Sequence, residues 1–115
     1  MAIERVGVIG AGQMGAGIAH VAALAGKAVV LTDVDAALAE KGRAVVRKNL
    51  GRQVEKGKVA AEAAEAALAR IAVACGLDAL ADADLVVEAI VENEEVKRGL
   101  FVRLDALLAP GAILA

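Results

Sequence analysis

Residues 6–35 read VGVIGAGQMGAGIAHVAALAGKAVVLTDVD, two apolar runs held apart by a stretch crowded with glycine and alanine and closed by two acids. The first run is rich in β-branched residues and stops at Gly10, the pattern of a buried strand, which is expected over residues 3–9. From Gly12 onward Met14, Ile18, Val21 and Ala25 recur at helical spacing, and Gly26 with Lys27 supplies a helix stop. Residues 28–32 form a second apolar run ending at Asp33. A helix of this length between two buried strands predicts a right-handed parallel crossover.

A G-x-G-x-x-G match alone is common, and its context gives it meaning. Here Gly10-Ala11-Gly12-Gln13-Met14-Gly15 follows a strand and opens a helix, and Asp33 ends the next strand 18 residues after Gly15. In such a setting Gly10 permits the tight turn, Gly12 lets backbone approach a pyrophosphate, and Gly15 lets the helix pack close to the sheet. The helix N-terminus then offers unpaired N–H groups and a partial positive charge to the phosphates. Asp33 is expected to accept hydrogen bonds from the adenosine ribose. Its charge repels a 2′-phosphate and no Arg follows it, which favours NAD over NADP. Without a ligand, the same glycines make an ordinary turn and Asp33 a solvated strand end. Asp35 reads as a helix cap rather than a ligand.

The remaining chain continues the alternation. Asp35 opens a long helix with an apolar stripe of Leu38, Val45, Val46, Leu50 and Val54, closed by Lys56 and Gly57. An alanine-rich helix over 60–69 leads into a third strand over 71–74, and a loop with Asp82 and Asp84 precedes a buried strand over 85–90. Asn93 caps a helix whose Val96, Leu100, Leu104 and Leu107 face the sheet, Pro110 and Gly111 end it, and a last strand begins at residue 112. Uniformly apolar strands alternating with helices predict an α/β fold, a Rossmann-type doubly wound parallel sheet, here ending inside its fifth strand.

Composition narrows the function classes. The 115 residues are 59% hydrophobic with Phe101 as the one aromatic, enough for a single domain over residues 1–115. Glu4, Lys27, Asp33 and Asp35 interrupt the most apolar region, so no run reaches the roughly 18 to 20 residues of a membrane span. Met1 is not followed by a secretory n-region and cleavage site, and a cytoplasmic location is expected. Cys75 has no second cysteine for a disulfide or a thiolate zinc site, and is expected to be a buried or half-buried structural thiol. A metal is not expected. Between residues 41 and 58 seven cations face only Glu55, although the net charge of the chain is −2. That segment invites an anionic partner, but a single aromatic residue and an acidic chain argue against nucleic acid.

Three segments together carry a family resemblance: the opening stretch, RKNLGRQVEKGKV at 47–59, and DLVVEAIVENEEVKRGLFVRLD at 84–105. Over its whole length the sequence resembles the NAD-binding domain of the L-3-hydroxyacyl-CoA dehydrogenases, particularly the bacterial 3-hydroxybutyryl-CoA dehydrogenases. The resemblance implies cofactor contacts at Gly10, Ala11, Gly12, Gln13, Met14, Gly15, Asp33 and Ala89, with Glu92 and Lys97 at the nicotinamide half. It implies that Asn49 and Lys56, two helical turns apart, touch coenzyme A, giving the basic segment the phosphates of an acyl-CoA as partner. Read from the residues alone, these cations are equally those of a solvated helix end. His20, the one histidine, falls about two turns into the first helix, away from the glycine end, and is not expected to act as a base. Family members carry their catalytic histidine, partnered by a glutamate, in a later HFFNP-like segment, followed by a helical domain used for dimerisation. This sequence has neither. The chain is therefore expected to be the N-terminal cofactor-binding part of a homodimeric dehydrogenase of fatty-acid or butanoate metabolism, with no catalytic residue of its own and inactive alone. A non-catalytic NAD(H)-binding module acting through a partner is the alternative.

Overall fold

The computed structural model describes residues 3–89 and 113–114. Five parallel strands, β1 (Arg5–Ile9), β2 (Ala28–Asp33), β3 (Ile71–Cys75), β4 (Leu85–Glu88) and β5 (Ile113–Leu114), lie in the order β3-β2-β1-β4-β5. The chain steps outward from β1 through β2 to β3, then crosses back over β1 to β4. The strand order thus reverses between β1 and β4, and in open sheets of this kind ligands sit in the crevice outside the carboxyl ends at that point. Register there is set by Val8 lying beside Leu31 on one side and Val87 on the other.

Among the described residues three α-helices lie between the strands: α1 (Gln13–Leu24), α2 (Ala36–Glu55) and α3 (Ala61–Ala69). Strand side chains alternate between faces. Val6, Val8, Val29 and Leu31 join the main core with residues of all three helices, while Ile9 and Val86 point the other way, onto Leu77, Leu80 and Ala83. Leu80 is carried by a short 3₁₀ turn (Asp78–Leu80) that the sequence pattern did not reveal. The helix expected from Asn93, with Val96, Leu100, Leu104 and Leu107, lies outside the described residues.

The helix faces depart from expectation in an informative way. The buried side of α1 is Gly15, Ala16, Ala19 and Ala23, whereas Met14 is 62% and Val21 69% exposed. Small residues let the helix backbone come close to the sheet and to its neighbours, and a Met or Val in that interface would hold it off. On α2 the buried set is Ala39, Gly42, Val46 and Leu50, with Val54 packed at the edge of the core. Leu38 and Val45, expected inside, are exposed. The ends behave as expected: Asp35 Oδ1 accepts from the Ala37 N–H at 2.7 Å, and the helix closes at Lys56 and Gly57.

Asp84 fastens the amino-terminal edge of the sheet. Its Oδ2 accepts the backbone N–H groups of Glu4 and Arg5, both at 3.0 Å, tying the start of β4 to that of β1. These amides, Glu4 first and then Arg5, hold the carboxyl below its ordinary value of 3.8, with a smaller pull from the Arg5 charge. A pKa lowered by folding stabilises the native state above the unfolded value and ceases to do so as pH falls through the folded one. The stability difference between wild type and Asp84→Asn is therefore expected to be flat above pH 3.8 and to shrink below it, as read from thermal melts across an acid series.

Candidate dinucleotide-binding site

The site begins where β1 ends. Gly10 has φ +100°, a conformation open to glycine and strained for other residues, and its N–H donates to the Thr32 carbonyl at 2.9 Å. On the other side the Ala89 N–H donates to the Ile9 carbonyl at 2.8 Å. Ala89 thus stands beside the glycine loop at the point where the strand order reverses.

The glycines of the loop answer to different requirements. A Cβ on Gly15 would fall 1.7 Å from the Gly10 carbonyl oxygen, so the fold itself demands a glycine there. Gly12 has an ordinary φ of −71°, and, its chain neighbours aside, a Cβ on it would meet no atom of the described residues within 4 Å. Neither backbone conformation nor packing requires glycine at this position. The open space lies at the N-terminus of α1, which no side chain caps and whose first turn carries no acid. An uncapped helix end beside open space fits a phosphate group laid against the backbone. Gln13 and Met14, in the first turn, are exposed.

Asp33 is engaged through both carboxylate oxygens. Its Oδ2 accepts the Ala11 N–H at 2.8 Å and its Oδ1 the Val34 N–H at 2.7 Å. A carboxylate offers about four acceptor sites, so both oxygens retain capacity for a second donor. Nearby, buried Thr32 donates its hydroxyl to the Gly76 carbonyl, and the Gly76 N–H donates to the Asp33 carbonyl at 3.1 Å. Cys75, expected buried or half-buried, is exposed at the end of β3 and its Sγ donates to the Val34 carbonyl at 3.4 Å.

The basic segment divides into two roles. Arg43 turns inward: Nε donates to the Ile71 carbonyl and Nη2 to the Leu68 carbonyl, each at 3.0 Å, pinning α2 to the α3–β3 junction. Two of its five N–H donors are engaged in this way. Lys41, Arg47, Lys48, Arg52, Lys56 and Lys58 are exposed, and Asn49 is half-buried on α2. Arg43→Ala is expected to lower stability by about 1.5–3 kcal/mol, the scale of a charge-assisted hydrogen bond, as measured by urea unfolding.

His20 bonds through Nε2 to Gln53 Oε1 at 2.8 Å, joining α1 to α2 in the manner of a structural histidine. Glu92 and Lys97 lie outside the described residues. Among the described residues no group of three or more His, Cys, Asp or Glu could hold a metal, and no helix is long and apolar enough to cross a membrane. Gly42, which the sequence pattern did not single out, packs against Ala11 of the glycine loop. A glycine in the interior of an otherwise regular helix was the available signal.

Residues 5–115 match the family model described as 3-hydroxyacyl-CoA dehydrogenase, NAD binding domain. The chain is 59% identical over 113 residues to the 3-hydroxybutyryl-CoA dehydrogenase of Bradyrhizobium diazoefficiens, covering 98% of this chain and 39% of that protein. It is 41% identical over 112 residues to the 3-hydroxyadipyl-CoA dehydrogenase of Escherichia coli, covering 97% of this chain and 24% of that one. The crystal structure of Mycobacterium tuberculosis FadB2 superposes with a TM-score of 0.95 at 44% identity, over 99% of this chain and 40% of that one. The chain thus spans about 40% of the length of the 3-hydroxybutyryl-CoA dehydrogenases it matches.

Proposed function

The chain belongs to the NAD-binding domain family of the 3-hydroxyacyl-CoA dehydrogenases, and from that premise we propose that it holds NAD for the interconversion of L-3-hydroxyacyl-CoA and 3-oxoacyl-CoA. The observation that carries this reading is the space at Gly12: the one loop glycine that the fold does not need lies at an uncapped helix end within the same loop that Asp33 anchors.

In this reading Gly10, Ala11, Gly12, Gln13, Met14 and Gly15 receive the pyrophosphate, Asp33 the adenosine ribose, and Ala89, with Glu92 and Lys97, the nicotinamide half. NAD, when bound, supplies the hydride acceptor. The chain's own residues orient it: backbone amides of the loop hold the phosphates, and the Asp33 carboxylate selects a free 2′-hydroxyl. Asn49 and Lys56 are assigned to the coenzyme A portion of the substrate, whose phosphates suit the exposed cations of α2. Residues 1–115 act as the cofactor-binding domain, and none of them is assigned as catalytic, since His20 is engaged with Gln53. The family resemblance supports a cytoplasmic, homodimeric enzyme.

Binding of acetoacetyl-CoA in the presence of NADH tests the substrate assignment. Lys56→Ala is expected to weaken it roughly twofold to fivefold, the scale of one exposed ion pair, and to leave NADH affinity unchanged. Unaltered acetoacetyl-CoA binding in Lys56→Ala would remove this residue from the substrate site.

A further inference from the structure

Ala11, the middle residue of the Gly10–Gly12 turn, is held from two directions. Its N–H is taken by Asp33 at the end of β2. Its carbonyl and methyl group lie against Gly42, in the interior of α2: a Cβ added to Gly42 would fall 2.7 Å from the Ala11 oxygen, 2.8 Å from the Ala11 Cβ and 3.0 Å from Leu31 Cδ2. The oxygen belongs to backbone and cannot swing aside as a side chain would. Gly51, on the same helix, shows no such need, since a Cβ there meets nothing within 4 Å.

A glycine inside a helix weakens it relative to alanine, and at position 42 the gain is contact between α2 and the loop. Buried Ala11 is thereby clamped between the second strand and the second helix. We infer that Gly42 is a positioning residue for the dinucleotide loop: the side chain it lacks lets α2 seat against Ala11 and so fixes where Gly12 and the first turn of α1 stand. This rests on the NAD reading given above. An alanine at 42 would displace either α2 or the Ala11 peptide, and the Gly12 amide, bonded directly to that peptide, would move with it.

The test compares NADH affinity, by calorimetry well below the melting temperature, across wild type, Gly42→Ala, Ala11→Gly, the double variant and Val46→Ala. Val46 is buried one turn further along α2, so its truncation loosens the same helix without crowding Ala11. Gly42→Ala is expected to raise the Kd for NADH about tenfold or more, as for an overpacked contact. Val46→Ala should lower the melting temperature and leave the Kd unchanged. Removing the Ala11 methyl in the double variant should recover part of the lost affinity. If Gly42→Ala does not fold, the double variant measured against Ala11→Gly makes the same comparison, and weaker binding is expected in the double. NADH binding by Gly42→Ala equal to wild type, or an equal loss in Val46→Ala, would overturn the positioning role and leave the NAD reading standing. Failure of folded wild type to bind NADH would overturn both.

Discussion

Gly15→Ala is expected to abolish NADH binding and to cost about 3 kcal/mol or more of stability, at the upper end of overpacking penalties. The new methyl would lie 1.7 Å from the Gly10 oxygen and 2.9 Å from the Gly10 carbonyl carbon, both backbone atoms of a turn that is itself fixed by its bond to Thr32. Only a shift of α1 away from the sheet relieves it, and that shift opens the core at Ala16 and Ala19. Gly12→Ala is the informative companion. Its methyl meets no atom of the described residues beyond its chain neighbours, and an alanine at a helix N-cap in place of glycine costs less than about 1 kcal/mol. It should leave the melting temperature nearly unchanged while NADH binding falls. Melts and NADH titrations on the two variants thus separate a glycine required by the fold from one required by the ligand. A Gly12→Ala protein that binds NADH as wild type does would remove the pyrophosphate from this loop.

Asp33→Ala should weaken NADH binding by about 10-fold to 100-fold, the equivalent of losing hydrogen bonds to a charged acceptor. It should also destabilise the protein by about 1–3 kcal/mol, because the Ala11 N–H loses its acceptor in a buried position. The two effects share one cause in part: in the proposed NAD site the carboxylate takes the ribose, and by its bond to Ala11 it also anchors the glycine loop. Asp33→Asn distinguishes them. Its amide oxygen can still accept from buried Ala11, and the exposed Val34 N–H that loses its acceptor turns to water, so much of the stability should return, while the loss of charge relaxes discrimination against a 2′-phosphate. If Asp33→Asn binds NADH and rejects NADPH as wild type does, discrimination does not come from this carboxylate.

Much of this fold is written locally. The strands around Val8, Leu31 and Val86 are short apolar runs with clear stops, the Asp35 cap sits beside the helix it opens, and the glycine motif announces the βα turn by its own spacing. The buried face of α1 was not legible because hydrophobic periodicity weighs greasiness and not size. Where a helix must approach a sheet closely, Ala16, Ala19 and Ala23 go inside and Met14 and Val21 stay out. The bonds from Asp33 to Ala11, 22 residues apart, and from Arg43 to Leu68 and Ile71 join positions that only the finished fold brings together. Charge counting therefore placed Arg43 in the docking segment although its guanidinium is turned inward. Cys75 looked like a core residue by type, yet it ends a strand at the sheet edge. Glu92 and Lys97 carry no local signature that distinguishes them from a loop acid and a helix-surface cation, and their assignment follows the family resemblance alone.

Calorimetric titration of the protein with NADH and, separately, with NADPH asks directly whether the Gly12 loop and Asp33 form an NAD site. NADH is expected to bind at one site per chain, with NADPH binding far more weakly because its 2′-phosphate meets the Asp33 carboxylate. A folded protein that binds neither nucleotide, or binds both equally well, would contradict it.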